Sequence, residues 1–360
     1  MKKFFISFVL IISLLFNVFA DNKQAHKELR EAFENWEKLS IMVEKGFDLD
    51  KLDKIDDWKE MRDYLQPFFL DEKGYPLDQH SPIHFYDNKE NYLGFVDVQC
   101  QMYIDWSDEY GSKDELLKKG YKEDEIFYYP YFNGEWRDGY RVGKKFRCTK
   151  MGSYSGYGED YIFSTNKSLF ATINTFNSPM YLEEISTSSK KYLILDMSEN
   201  GGGYDGIYYD LVKAIKKMKP KEIFVFIDYE TYSMGERAAF LFEKDTNIKT
   251  TLIGYPTRGG YTGGSTRYKI TFDNFMIEIN LSANGAKLSP ELVEGIGLTP
   301  DYYTSNNYES IEIVKHLIKD NDLELPDLYK QNIEYCINND VKKWQTRSFY
   351  ENQKAKFYYE

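Results

Sequence analysis

The stretch that most limits how this chain can fold runs from about residue 168 to 254. Four apolar runs, "SLFATINTF", "KKYLILDM", "KEIFVFID" and "IKTTLIG", share it with two segments of helical period, "IYYDLVKAIKKM" and "MGERAAFLFEK". The runs are continuous rather than alternating, as in strands buried on both faces. Strand–helix–strand order calls for crossovers, and crossovers give parallel pairing. An α/β domain is therefore expected over residues 166–325. Within it "RYKITFDNFMIEINLS" reads as a hairpin turning near Asp273–Asn274, and "SIEIVKHLIKD" as a late helix.

The remainder divides by pattern. Ala25, Leu29, Ala32, Phe33, Trp36, Leu39 and Met42 recur at three- and four-residue steps. This predicts a small N-terminal helical element over 21–70. Residues 71–165 are rich in Tyr, Gly, Asp and Trp and predict a mixed region of short strands and loops. Its cluster "FYYPYFNGEW" suits either packing or a peptide groove. Residues 326–360 read as a partly helical tail.

The first twenty residues have a separate purpose. Lys2 and Lys3 precede the apolar run "FFISFVLIISLLFNVF", and "VFA" precedes a cut after Ala20. That is the form of a signal peptide. The competing reading is a retained anchor, but the run is short for a span of about 20 residues and contains Asn17. The expectation is an exported protein, periplasmic or extracellular, with no stable membrane span after cleavage. Cys100, Cys148 and Cys336 have no metal-like spacing, and export permits one disulfide among them. Net charge is −12 with no basic block, which argues against nucleic acid and anionic membrane as partners.

Two motifs bear on chemistry. Residues 201–206, "GGGYDG", match G-x-G-x-x-G between a strand and a helix, as in dinucleotide sites. The same glycines also suit a tight turn at positive φ, or a turn whose N–H groups bind a developing oxyanion. "SMGE", from Ser233 to Glu236, is a capping-box pattern. A serine there can cap the helix. It can also act as a nucleophile, since a helix N-terminus favours negative charge.

Four segments in order resemble the tail-specific, or C-terminal processing, serine peptidases and their tricorn-core relatives. "YLILDMSENGGG" resembles their Asp-x-x-x-Asn-Gly-Gly-Gly strand–loop, and "TYSMGERAA" their nucleophile segment. "IGYPTRGG" resembles the Gly-x-Pro-Thr-x-Gly loop, and "VEGIGLTPD" the Glu-Gly-x-Gly-Ile-x-Pro-Asp segment. The resemblance implies a crotonase-like α/β fold and a peptide or unfolded-protein substrate, with no metal or cofactor. It puts the nucleophile at Ser233 and the oxyanion hole at Gly202, Gly203 and the N–H of Met234. Glu236 takes a structural role on the nucleophile helix. Family members usually carry a PDZ-like module; residues 95–165 have room for one but show no carboxylate-binding loop.

The chain departs from the pattern at the base. Where the bacterial members have a lysine, this sequence has Arg258, which stays protonated and cannot accept the Ser233 proton. Arg258 and Gly259 are therefore expected to bind substrate. The tricorn-like branch takes a histidine from upstream, often in Asp-x-His. "LDQHSPIHFYD" offers His80, preceded by Asp78, and His84. His26 and His316 read as surface or packing residues. Glu294 resembles a glutamate of the tricorn network, and Glu291 matches less well. The expectation is an exported serine endopeptidase. The alternative is a non-catalytic binder on the same fold, with Arg258 holding a carboxylate.

Overall fold

The computed structural model describes residues 22–71, 74, 76–96, 101–148, 161–177, 181–261, 265–282, 292, 294–327, 330–331 and 357–359. The first 21 residues, where a signal peptide is expected, Cys100, Cys336, Glu291 and most of the 326–360 tail lie outside the described residues. No helix among the described residues is long and apolar enough to cross a membrane. The chain forms two compact units.

The first unit comprises residues up to 98 together with 262–286. Its helices Asn22–Glu34, Leu39–Glu44, Leu49–Leu52 and Trp58–Leu65 cover an antiparallel sheet. The sheet order is Ser265–Thr271, Phe275–Ser282, Ile83–Asp87, Tyr92–Val96. Phe275, Ile277, Ile279 and Leu281 alternate toward one face and join Leu29, Phe33, Trp36 and Phe85 in a single apolar cluster. This is the period-two pattern of a half-buried strand. The hairpin read as part of the α/β domain thus belongs to the helical unit. Its apolar face needs a partner, and the Ile83–Asp87 strand supplies one through pairs such as Phe85 with Ile277.

The second unit comprises residues 99–261 and 287–360. Its main sheet runs Tyr302–Tyr303, Thr250–Gly254, Glu222–Ile227, Tyr192–Asp196, Ser168–Thr172, Ile162–Ser164. All neighbours pair in parallel except the last two strands, which are antiparallel. Leu193, Leu195, Ile223 and Val225 face one way, into a cluster with Leu211, Ile215, Ala238 and Phe242 of two helices, Asp205–Met218 and Met234–Thr246. Ile194, Phe224, Phe226 and Ile253 face the other way, against Ile311 and Val314 of the Asn307–Ile318 helix. Burial on both faces is why these strands read as unbroken apolar runs.

A second sheet in this unit corrects one expectation. The 71–165 region holds two long strands, Gln101–Gly111 of 11 residues and Tyr140–Cys148 of 9 residues. They pair antiparallel, with an irregularity between Trp106 and Tyr110. Charged residues such as Asp105, Lys144 and Lys145 interrupt the apolar alternation, which hid them. The Ile126–Tyr128 strand pairs with the first residues of Tyr140–Cys148. The aromatic cluster beside it packs internally: Phe127 and Tyr129 join Ile104, Tyr229, Tyr255 and Tyr303. Phe132 stacks on Tyr110 at 4.6 Å, and the Arg141 guanidinium lies 5.3 Å from the Tyr129 ring.

Candidate active site

Three loops leave the carboxyl ends of adjacent parallel strands, where α/β sheets build their sites. The first, 197–204, follows Tyr192–Asp196. Asn200 in it is fully buried. Its Nδ2 donates to the Ile173 carbonyl at 2.6 Å, and its Oδ1 accepts from the Gly202 N–H at 2.9 Å. Its backbone carbonyl accepts from Tyr232 N at 2.8 Å, tying this loop to the second. A Cβ on Gly235 would lie 2.6 Å from that same carbonyl, so only glycine allows the approach.

The second loop, 228–233, is closed by Asp228, whose carboxylate accepts from the Glu230 N–H at 2.7 Å and the Thr231 N–H at 3.2 Å. Thr231 Oγ1 donates to the Met197 carbonyl at 2.8 Å. The loop delivers Ser233 to the start of the Met234–Thr246 helix with φ 54° and ψ −121°. That is a conformation L-residues rarely adopt, and it costs about 1–3 kcal/mol. The Ser233 side chain makes no capping bond. The capping-box reading is therefore overturned. Met234 carries the first N–H of the helix, which has no partner within the helix itself.

Glu236 shows where the other half of that motif goes. Its side chain is fully buried and accepts from the Gly259 N–H through Oε1 and from the Gly260 N–H through Oε2, at 2.5 and 2.7 Å. It staples the third loop, 255–261, to the serine helix. Burial pushes its carboxyl up to about 7, against the pull of the Thr257, Gly259 and Gly260 donors. A proton is therefore bound more readily in the folded state. The stability this provides is complete below pH 4.5 and lost as pH rises through about 7, by about 3 kcal/mol at about 1.4 kcal/mol per pH unit. Denaturant melts across this window should show the decline, and Glu236→Gln should flatten it; an equally steep decline in the variant would refute the assignment.

Gly202 and Gly203 bring chain against chain. A Cβ on Gly202 would sit 2.7 Å from Ser233 Cβ and 3.0 Å from Met234 N. One on Gly203 would sit 2.5 Å from the Phe176 carbonyl carbon. Ser233 and Phe176 fill the space a side chain would need at these two positions, so both require glycine for the close approach of backbone. Phe176 N donates to the Gly202 carbonyl at 2.7 Å and Tyr204 N to the Phe176 carbonyl at 3.0 Å. The Gly203 N–H is left on the other edge of this bridge. The Gly202 N–H, expected as an oxyanion donor, is bonded to Asn200 instead, and this glycine's contribution is close approach.

Arg258 is not an open cation. Its Nη2 lies 2.7 Å from Glu230 Oε2, with the two side chains 12% and 15% exposed. The guanidinium also covers the Tyr232 ring at 4.9 Å. Burial raises the Glu230 carboxyl to about 7, with Arg258 pulling it down. Glu294 Oε2 accepts from the Tyr261 N–H at 2.9 Å and so fixes the end of the third loop. Gly295 N donates to the Gly259 carbonyl at 2.7 Å, and Leu298 N to Thr257 Oγ1 at 2.7 Å.

Both candidate base histidines lie in the first unit. His80 follows the buried Asp78, whose Oδ1 accepts from the His80 N–H at 2.8 Å and whose Oδ2 accepts from Ser81 Oγ at 2.6 Å. The His80 Nδ1 is 3.9 Å from Asp78 Oδ1. His84 is half-buried on the Ile83–Asp87 strand, opposite Glu278 and Phe95. Burial lowers its pKa below the ordinary 6.5, with Glu278 opposing and Arg267 adding to the shift. His26 is buried beside Asp56 at 3.0 Å, and His316 stacks on Trp136 at 3.7 Å, both as packing residues. Asn200, Asp228 and Thr231 were not singled out in advance. The visible signal for Asn200 was its place immediately before the glycines.

No protein-family model matches the chain, and no curated protein matches it. Among solved structures it is similar to the photosystem II D1 C-terminal processing protease, with TM-score 0.42, 11% identity and coverage of 79% of this chain and 94% of that one. It is similar to mature CPAF with TM-score 0.39 and 11% identity, over 85% of this chain and 99% of that one. Its likeness to the tricorn protease, TM-score 0.29 and 18% identity, covers 50% of this chain and 18% of that one.

Proposed function

We propose that this chain is an exported serine endopeptidase with a crotonase-like α/β core, acting on peptides or unfolded protein. The observation that carries this reading is the backbone of Ser233. It is held at a positive φ at a helix N-terminus, pressed against Gly202, and makes no capping bond to account for the strain. Ser233 Oγ attacks the peptide carbonyl carbon and its proton passes to a neutral histidine, His80 or His84. The Met234 and Gly203 N–H groups stabilise the oxyanion. The C–N bond then breaks, the amine leaves with the histidine's proton, and water releases the acyl group by the same route. Glu236, Glu294 and Asn200 hold the loops.

A binder using Arg258 for a carboxylate would have to displace Glu230 first, so the enzymatic reading is preferred. It is tested with a fluorophosphonate on residues 21–360. Labelling is expected in the unmodified protein and none in Ser233→Ala; labelling that persists in the variant refutes the assignment.

The base sets the pH profile. Histidine accepts a proton only when neutral, so activity rises with pH through its pKa. With His84 as base, kcat/KM is half-maximal below pH 6.5, the ordinary value from which burial lowers it. His84→Ala then removes activity and His80→Ala spares it. A midpoint above 6.5 counts against His84, and the reverse pattern in the variants assigns the role to His80.

A further inference from the structure

Among the described residues, one of the largest fully buried side chains is a charged one, Arg147, 1% exposed. It lies on the Tyr140–Cys148 strand, opposite Met102. A guanidinium taken out of water must find acceptors to offset its lost hydration. Nη1 of Arg147 donates to the carbonyl of Gly295, 148 residues away.

Gly295 belongs to the segment that grips the third loop. Its N–H donates to the Gly259 carbonyl at 2.7 Å. Gly259 and Gly295 both have positive φ, 83° and 82°. A Cβ on Gly259 would lie 2.7 Å from the Gly295 carbonyl carbon and 2.6 Å from Ile296 N. The two backbones touch with no side chain between them to yield, so a shift of one moves the other. The Gly259 and Gly260 N–H groups in turn end on Glu236, three residues after Ser233.

We infer that Arg147 is a positioning residue for the peptidase: it anchors the Glu294–Leu298 segment, and through it the 257–260 loop and the start of the Ser233 helix. The inference deepens the peptidase reading and depends on it for its catalytic meaning. The physical anchoring stands apart and is measured separately. The competing account is that Arg147 merely fills space in its strand. Arg147→Met keeps much of the volume and removes the donors. Met102→Ala loosens the same strand pair and leaves the guanidinium in place.

Two readouts decide. Amide hydrogen exchange of the 255–261 segment is expected to quicken at least 10-fold in Arg147→Met and to change little in Met102→Ala. Fluorophosphonate labelling of Ser233, per folded molecule, is expected to slow at least 10-fold in Arg147→Met, with partial recovery in Arg147→Lys. Unchanged exchange in Arg147→Met, or equal changes in both variants, would overturn the inference. If Arg147→Met does not fold, Arg147→Lys against the unmodified protein carries the same comparison with a smaller effect. A complete lack of labelling in the unmodified protein counts against the peptidase, and exchange alone then decides whether Arg147 anchors the loop.

Discussion

Ser233→Ala is expected to reduce casein hydrolysis by at least about 10³-fold, as loss of an attacking serine does elsewhere. It is expected to do so with almost no change in stability. A serine that truly caps a helix costs about 1 kcal/mol when changed to alanine. Ser233 makes no such bond, so less than about 0.5 kcal/mol should be lost. The pairing of the two results is what discriminates. A stability loss near that of a cap, with cleavage intact, would restore the bland reading of the Ser-x-x-Glu motif. Loss of cleavage at unchanged stability assigns the serine to chemistry.

Gly202→Ala is expected to damage both the fold and the position of the serine. The new methyl would meet Ser233 Cβ at 2.7 Å and Ser233 Oγ at 3.1 Å, on a backbone with φ 98°. Strain and overpacking together should cost about 2–4 kcal/mol. The serine would also be displaced, and a shift of about 1 Å at a reacting atom costs on the order of 100-fold in rate. Gly201→Ala is the control, because nothing lies within 4 Å of a Cβ there. Comparable losses in both variants, in melting temperature and in casein cleavage, would show that the close contact of Gly202 with Ser233 is not what matters.

The four central strands of the main sheet were legible because each has apolar residues on both faces, and local composition suffices to see that; the short edge strands Ile162–Ser164 and Tyr302–Tyr303 carry no such run. The Asn-Gly-Gly-Gly turn was legible as a place for backbone approach, but not its partners. Gly202 meets Ser233, and Gly203 meets Phe176, at sequence separations no local pattern encodes. The long Gln101–Gly111 and Tyr140–Cys148 strands escaped notice because charged outward residues and an irregular register blur their period. The hairpin at 265–282 was recognised, but not its unit. Its inner face is apolar, and any complementary apolar surface would satisfy such a pattern.

The same division holds at the site. Residue type alone determined that Arg258 cannot be a base, since its guanidinium keeps its proton in any surroundings. Residue type also made Ser233 a candidate nucleophile, while the resemblance to the tricorn-like branch is what pointed to a histidine as its base. Only the tertiary structure decided that Glu236 binds the amides of Gly259 and Gly260 rather than Ser233, and that Arg258 is matched to Glu230. Intrinsic chemistry belongs to a side chain wherever it stands. A partner belongs to it only after folding, when chain segments far apart in sequence are brought within a hydrogen bond's length and water is no longer there to take the partner's place.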